Sequence, residues 1–187
     1  MSAGFLMTVL VVEARALSVI ERTFPELVER ADTIVVGKVL EVRNLVDGKT
    51  GYPYREVVLG ELTVLKGSPA DPLVLRFSGG SLPDGRVLSF GSEVEFETGE
   101  RAVLFVAGNR RDMFPLVGVG QGRFRVVADA ATGQDRVLDV HGAPVASLQG
   151  SRLRVLPGAP STTAAAASAM SLQSFTDLIQ KQLDEGR

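Results

Sequence analysis

The sequence predicts a mainly β domain folded as a small closed barrel, with a short helix before the strands and a second helix after them. Short runs rich in β-branched residues recur about every 8–12 residues between residues 33 and 156, and glycine-rich turns separate them. No segment in that range has the 3.6-residue period of a helix. Two runs are long, and the second carries Gly60 at its centre. Because a tightly curved strand favours such a glycine, the pattern favours a barrel over a sandwich.

The first predicted element is a helix that begins after Thr23. Thr23 can cap the helix, and Glu26 lies three residues later, which completes a capping box. Pro25 is tolerated in the first turn. We expect this helix to continue for about two turns, to residues 31–32.

The strands follow this helix without interruption. They are predicted at residues 33–43, 54–66, 73–77, 101–107, 114–119, 123–127 and 136–140, with a short strand at 87–90. The first half of segment 33–43 is apolar at successive positions, which predicts burial on both faces. Gly60 predicts a bulge or a sharp coil in segment 54–66.

Residues 1–16 precede the predicted barrel domain, which spans residues 17–156. They contain a short apolar run and end on Ala14, Arg15 and Ala16, a small-x-small triplet that suits signal peptidase. No basic residue precedes the run, so the segment is interpreted either as a signal-peptide remnant or as an ordinary first strand or helix. The run is too short to span a bilayer, so no membrane span is predicted.

Two further segments follow the barrel domain. Residues 157–170 are rich in proline, alanine and serine and are predicted to be a linker. Residues 171–187 are predicted to form an amphipathic helix, because their apolar residues repeat at helical spacing. That helix either docks on the barrel or is left for a partner. The residues on its apolar face are Leu172, Phe175, Leu178, Ile179 and Leu183.

The composition excludes several classes of function. The chain has 20 basic and 22 acidic residues, a formal net charge of −2 and no basic block, which argues against a nucleic-acid partner. It has no cysteine and one histidine, which excludes disulfides, thiolate zinc sites, cysteine nucleophiles and histidine clusters. We therefore expect neither a cofactor nor a metal.

Asp139 and His141 form the only arrangement that suggests catalysis. A carboxylate that orients an imidazole is half of a Ser-His-Asp arrangement, and these two residues would share a strand face. No Gly-x-Ser-x-Gly elbow or other positioned nucleophile accompanies them. A surface histidine is the favoured interpretation, and a hydrolase that uses an unidentified serine is the alternative.

Two other patterns have an ordinary structural explanation. Gly118, Gly120 and Gly122 have the spacing of a phosphate-binding loop, but a strand rather than a helix follows them, so a hairpin or a bulge is predicted. An acidic patch alternates with apolar residues, which predicts a solvated strand face with a hard-cation site as the alternative. The patch consists of Glu93, Glu95 and Glu97.

Four short motifs occur in the order seen in a group of uncharacterised exported bacterial proteins, which the chain therefore resembles. They are ADTIVVGKV at 31–39, VLKG at 64–67, GERAVLFV at 99–106 and GQGRF at 120–124. The first two motifs also resemble the netrin-like module of the tissue inhibitors of metalloproteinases. That resemblance covers residues 24–127 and implies an OB-like closed barrel. Those inhibitors chelate the protease zinc through an N-terminal cysteine, and this chain has none, so their mechanism is not implied here.

The sequence therefore predicts a non-catalytic, exported binding or accessory module of the cell envelope or the extracellular space. We expect it to recognise a protein, with a secreted protease as one candidate. Loops 44–53 and 79–97 are the expected contact regions, because long loops on a rigid barrel often carry recognition. Tyr52, Tyr54 and Phe90 are the expected contact residues. The alternatives are a structural envelope domain that packs through its terminal helix and the hydrolase of Asp139 and His141.

Overall fold

The computed structural model describes residues 20–82, 84–90, 94–156 and 167–186, which form a mainly antiparallel β fold with two helices. The helices are α1 (Phe24–Arg30) and α2 (Leu172–Glu185). The strands are β1 (Thr33–Val46), β2 (Pro53–Lys66), β3 (Leu73–Ser78), β4 (Gly80–Ser81), β5 (Val87–Leu88), β6 (Arg101–Val106), β7 (Arg123–Ala128), β8 (Asp135–Leu138), β9 (Val145–Gln149) and β10 (Arg152–Val155). The predicted signal-peptide remnant at 1–16 and residues 157–166 of the predicted linker lie outside the described residues.

One antiparallel sheet of six strands organises the fold, in the order β3-β2-β1-β6-β7-β8. The strands β1, β2 and β3 follow one another in the sheet, and β6 returns over a long connection to lie beside β1, which is a Greek-key arrangement. The prediction of a mainly β fold with a helix at each end is confirmed. Within the described residues no ladder joins β3 to β8, so the predicted closed barrel is not confirmed.

Strand β1 lies at the centre of the fold, and its first half is buried on both faces, as predicted. Ile34 and Val36 face one hydrophobic core, whereas Val35 and Val39 face the other. Each of these side chains is at most 5% exposed. Because successive side chains of a strand point to opposite faces, one short segment contributes to both cores.

The pair of β1 and β2 is irregular where Gly60 predicts a bulge. The register between the strands shifts at Val36/Lys38 and again at Val39/Glu41, opposite residues 58–63. A Cβ atom on Gly60 would lie 2.6 Å from Cδ1 of Leu40, so only glycine leaves room for that side chain. The predicted irregularity is confirmed, and it increases the local twist of the two long strands.

The core on the helical face of the sheet, here called the helix-side core, is rich in phenylalanine. Helix α1 begins with the predicted capping box between Thr23 and Glu26 and buries Phe24 against the sheet. Phe24 contacts Phe105 of β6 edge to face, with ring centroids 6.4 Å apart. Phe105 contacts Phe124 of β7 at 5.7 Å. This core therefore joins α1 to the centre of the sheet.

Helix α2 docks on the helix-side core, so the first of the two alternatives for the terminal helix is confirmed. Ser171 caps the helix by accepting a hydrogen bond from the amide of Ser174 at 3.1 Å. Phe175 and Ile179 are fully buried. The Phe175 ring lies 4.8 Å from the Phe124 ring between centroids, so α2 completes the phenylalanine cluster.

The opposite face of the sheet carries the second core, here called the loop-side core. Residues from β1, β2, β3 and β6 meet there with residues of the connection that precedes β6. Its larger members include Val57, Leu59, Leu75, Phe77, Phe96 and Leu104. Phe77 and Phe96 pack with ring centroids 5.5 Å apart, which ties that connection to β3.

Both edge strands of the sheet are covered by chain segments that are not strands. On β3, Asn109 accepts a hydrogen bond from the amide of Arg76 at 3.1 Å and donates one to the carbonyl of Val74 at 2.8 Å. The carbonyl of Met113 accepts a hydrogen bond from the amide of Ser78 at 2.8 Å. On β8, the amide of Val137 donates to the carbonyl of Met170. The sheet therefore leaves few free edge groups, which limits strand-to-strand aggregation.

Three predicted elements differ from the structure. The predicted strand at 114–119 is wrong: only a single bridge joins Val106 to Leu116, and a 3₁₀ segment, Val117–Gly120, follows. Gly118 and Val119 have positive φ angles of 65° and 58°, which no strand allows. The glycines at 118, 120 and 122, predicted to form a hairpin or a bulge, lie in and next to this 3₁₀ segment, and β7 rather than a helix follows them.

At the end of the sheet, β8 stops at Leu138 instead of residue 140, because Asp139 begins a turn. The hairpin of β9 and β10 was not predicted, although a two-residue turn links Gln149 to Arg152 and Gly150 has a φ of 60° there.

Candidate functional site

Five exposed apolar side chains gather at one end of the molecule, where the β1–β2 hairpin meets β4, β5 and the segment after β6. Among the described residues, nine large apolar or aromatic side chains are exposed, and these five lie on backbone segments that ladders and hydrogen bonds join at this end. We call them the loop-end surface. They are Val46, Tyr52, Val87, Phe90 and Met113.

Backbone hydrogen bonds bring the hairpin residues of the loop-end surface to the start of β4. Val46 pairs with Pro53 at the end of the β1–β2 ladder, and the amide of Asp47 donates to the carbonyl of Tyr52. The carbonyl of Pro53 in turn accepts a hydrogen bond from the amide of Gly79 at 3.0 Å. The hairpin is therefore fixed directly beside the residues that follow β3.

Val87, Phe90 and Met113, the other residues of the loop-end surface, lie at the same end of the molecule and are held there by the following contacts. Val87 pairs with Ser81 in the β4–β5 ladder, and Met113 bonds to Ser78 at the end of β3. The Phe90 ring packs edge to face on Phe114, with centroids 6.3 Å apart. The β1–β2 hairpin, the segment of β4 and β5, and the segment after β6 thus contribute to one surface.

A cleft of about 250 Å³ opens beside the loop-end surface. Phe77, Phe90 and Phe114 contribute aromatic walls, while Arg55 and Glu95 contribute charged groups. The Arg55 guanidinium lies 5.6 Å from the Phe77 ring centroid and donates to the carbonyl of Val94 at 2.7 Å. This combination of apolar walls and a fixed guanidinium suits contact with an amphipathic group.

The three predicted contact residues have different positions. Tyr52 belongs to the loop-end surface and is 66% exposed, and Phe90 belongs to it and also lines the cleft. Tyr54 is only half-exposed, and the Arg76 guanidinium covers its ring at 3.6 Å from the centroid. The structure thus places Tyr52 and Phe90 on the loop-end surface. Tyr54 lies outside that surface, beneath the Arg76 guanidinium.

Asp47 organises the tip of the hairpin that carries Tyr52. Its carboxylate accepts hydrogen bonds from the amides of Thr50 and Lys49, both at 3.0 Å, and one from Arg76 of β3 at 3.3 Å. These bonds to the ionised form lower the pKa of Asp47 to about 2, with the amide of Thr50 as the first cause. The loop-end surface therefore has a fixed rather than a free hairpin tip.

We expect the hairpin tip to keep its order in acid until the pH falls to about 2, the pKa of Asp47. Because the folded-state pKa lies below the ordinary value of 3.8, the carboxylate stabilises the folded loop above that value and loses this effect as the pH falls through the folded pKa. A carboxyl titration by nuclear magnetic resonance should give a midpoint near 2 for Asp47. An Asp47→Asn variant should shift the amide resonances of Lys49 and Thr50 at neutral pH, and a carboxyl midpoint near 3.8 would contradict the assignment.

The predicted acidic patch lies beside a second cleft, of about 310 Å³. Glu95 and Glu97 are exposed while Val94 and Phe96 are buried, so the predicted alternation is confirmed for the described residues, although this segment is extended chain without a ladder. Glu93 lies outside the described residues. Within the described part of the chain, no group of three histidine or carboxylate side chains is placed to hold a metal ion.

A buried ion pair forms the floor of this second cleft. Arg123 of β7 bonds to both carboxylate oxygens of Glu100, at 2.6 and 2.8 Å, and the two side chains are only 5% and 7% exposed. The Arg123 guanidinium also lies 4.7 Å from the Phe96 ring centroid. Burial lowers the pKa of Arg123 below its usual value, and the Glu100 carboxylate opposes that shift. The geometry is that of a structural ion pair in which each charge has its partner.

Asp139 and His141 do not form the arrangement that catalysis would need. The Asp139 carboxylate accepts hydrogen bonds from the backbone amides of His141 at 2.9 Å and Ala143 at 2.8 Å, so it holds the turn after β8. Because β8 ends at Leu138, the two residues do not share a strand face as predicted. His141 lines the second cleft together with carboxylate and arginine side chains, and none of the described residues that line it is a serine, threonine or cysteine.

No family model, curated protein or solved structure matches the chain. The function must therefore be inferred from the surfaces and clefts themselves. The loop-end surface combines exposed aromatic and aliphatic groups with a backbone that hydrogen bonds fix. Among the described residues, no helix is both long enough and apolar enough to cross a membrane.

Two parts of the site were missed by reasoning from sequence. No pattern in the sequence signals that Met113 lies at this surface. Glu100 and Arg123 pair although they lie 23 residues apart in the sequence, and no local pattern signals that pairing either. The first depends on how the segment after β6 folds back on β3, and the second on how β7 lies beside β6.

Proposed function

We propose that this chain is a non-catalytic, exported binding module that recognises a protein partner through the loop-end surface. The observation that carries the proposal is that five exposed apolar residues lie on backbone segments joined at one end of the molecule: Val46, Tyr52, Val87, Phe90 and Met113. Exposed apolar groups that gather on a rigid backbone mark interaction sites more often than groups that are scattered singly. A secreted protease is one candidate partner.

Tyr52 and Phe90 are the anchor residues of this proposed interface. Tyrosine and other aromatic side chains carry much of the binding energy of protein interfaces because they bury a large area with little loss of side-chain freedom. Both rings project from segments that hydrogen bonds fix, at Asp47 and at the β4–β5 ladder. A fixed backbone reduces the entropy lost on binding.

We also infer an OB-like, netrin-like barrel and export from the cell. The Greek-key order of the sheet supports the first inference, together with the segment after β6, which bonds to the free edge of β3. The triplet Ala14, Arg15 and Ala16 supports the second, because it has the pattern of a signal-peptidase site. The alternative of self-packing through the terminal helix is less well supported, since α2 buries its apolar face inside the domain.

Affinity capture tests the proposal, with variants of the loop-end surface compared against control variants at other exposed positions. The chain, immobilised, is exposed to the secreted and envelope fractions of the source cell, and a captured protein is identified and purified. Tyr52→Ala and Phe90→Ala should each weaken its binding about tenfold or more, because anchor residues dominate an interface. Ile20→Ala and Leu40→Ala are the controls, since Ile20 is 69% exposed and Leu40 45% exposed at other places on the surface.

The thermal stability of all four variants should stay close to that of the unmodified chain, because exposed positions contribute little to folding. If the loop-end variants bind the captured protein as tightly as the controls do, the loop-end surface is not the interface. If no protein is captured by a folded chain, recognition of a protein is itself contradicted.

A further inference from the structure

The covered edge of β3 is unusual because a single side chain replaces a neighbouring strand. We call residues 108–113 the strap. Asn109 of the strap bonds to both the carbonyl of Val74 and the amide of Arg76 through its carboxamide. The strap contributes one further bond to this edge, from Ser78 to the carbonyl of Met113. The groups that face outward on β3 are therefore those of residues 74, 76 and 78.

On the side away from β3, the strap is held to the rest of the fold by weak interactions. The amide of Gly108 and the Arg111 guanidinium both bond to the Asp32 carboxylate, at 2.9 and 3.0 Å. The Arg111–Asp32 pair is exposed, and exposed ion pairs contribute little to stability. Arg110 has a φ of 65°, a conformation that is unfavourable for a residue other than glycine. From residue 110 to residue 113 the strap is exposed to solvent.

We propose that the strap is a displaceable cover, and that an extended segment of a protein partner takes its place as an added strand on β3. This inference rests on the proposed function and specifies how the partner binds. A strand that pairs with β3 would use the same outward groups at residues 74, 76 and 78 that the strap now occupies. Its far end would reach Ser78, next to the bond between Gly79 and Pro53 that joins the hairpin of the loop-end surface to β3.

The charges at this edge specify the chemistry of the segment. Arg76 is the central outward residue of β3, and its guanidinium lies over the Tyr54 ring and 3.3 Å from the Asp47 carboxylate. Oppositely charged residues that face each other across a pair of strands stabilise it, whereas like charges destabilise it. The partner segment therefore carries an acidic residue opposite Arg76 and β-branched residues on either side.

A synthetic peptide of alternating valine and threonine with one glutamate at its centre is the probe. Its affinity is measured by fluorescence anisotropy for the unmodified chain, Asn109→Ala, and Asn109→Ala combined with Val74→Pro. Asn109→Ala should raise the affinity about tenfold, because opening the edge then breaks two fewer hydrogen bonds. Val74→Pro removes an outward amide without touching the bonds between β2 and β3, so it should abolish the gain.

Hydrogen exchange on the unmodified chain is a second measurement that needs no variant. The outward amides of Arg76 and Ser78 should exchange faster than the inward amides of Leu75 and Phe77, which pair with β2. Equal protection of the four amides would overturn strand addition. So would a double variant, Asn109→Ala with Val74→Pro, that keeps the higher peptide affinity of Asn109→Ala.

The two proposals fail separately. A captured protein whose binding depends on Tyr52 and Phe90 but is unchanged by Val74→Pro would contradict strand addition and leave the loop-end interface in place. In the opposite case, the peptide binds as expected but no captured protein depends on the loop-end surface. That result would support the displaceable strap and contradict the proposed function.

Discussion

Replacing Phe175 with alanine is expected to lower the free energy of unfolding by about 3–5 kcal/mol, the usual range for a phenylalanine truncated in a core. Phe175 is fully buried, and its ring packs on those of Phe24, Phe105 and Phe124. The truncation leaves a cavity between α2 and the sheet, since the surrounding rings belong to three different elements and collapse only partly. Equilibrium unfolding in urea, followed by circular dichroism, measures the change.

Lys181→Ala is the matched control for Phe175→Ala because it lies on the same helix. The Lys181 side chain is 74% exposed, and it forms an ion pair with Glu185, one turn away. We expect this control to change the free energy of unfolding by less than about 0.5 kcal/mol. If Phe175→Ala were equally mild, α2 would not be part of the folded core.

Replacing Arg123 with methionine is expected to lower the free energy of unfolding by about 3–5 kcal/mol, because it leaves the carboxylate of Glu100 buried without a partner. The variant also removes the guanidinium from the Phe96 ring. Combining Arg123→Met with Glu100→Leu should restore most of the loss, since two apolar side chains can replace a buried ion pair at little cost. Urea unfolding of the two single variants and the double variant gives the coupling energy.

An exposed ion pair on the same sheet provides the control. Arg101 of β6 bonds to Asp135 of β8, with the two side chains 42% and 34% exposed. Arg101→Met is expected to change the free energy of unfolding by less than about 1 kcal/mol, as is usual for exposed pairs. Equal effects of Arg123→Met and Arg101→Met would show that burial of the first pair does not determine its contribution.

Local patterns in the sequence predicted the elements whose residues interact with near neighbours. The capping box of Thr23 and Glu26 correctly predicted the start of α1. The spacing of Phe175 and Ile179 correctly predicted the buried face of α2. Gly60 predicted the irregularity of β2, and it lies opposite the register shifts, with the Leu40 side chain where a Cβ atom would be. In these cases the residue type itself restricts the backbone.

The covering of the β3 edge and the composition of the site could not be derived in the same way. Asn109 bonds to β3 across more than thirty residues of sequence, and no local pattern distinguishes such an asparagine from one in an ordinary turn. Val119 adopts a left-handed backbone that its β-branched side chain disfavours, so propensity predicted a strand there. Tyr52 and Phe90 were recognised as exposed aromatic residues, but their common surface depends on the β4–β5 ladder.

The contact between Phe24 and Phe175 has a consequence for the synthesis of the protein. These rings come from elements at opposite ends of the described chain, so the helix-side core stays incomplete until α2 has left the ribosome. Domains are generally expected to fold as units once their whole sequence is available. The helix-side core can therefore form only after the whole of the described domain, from α1 to α2, has been synthesised.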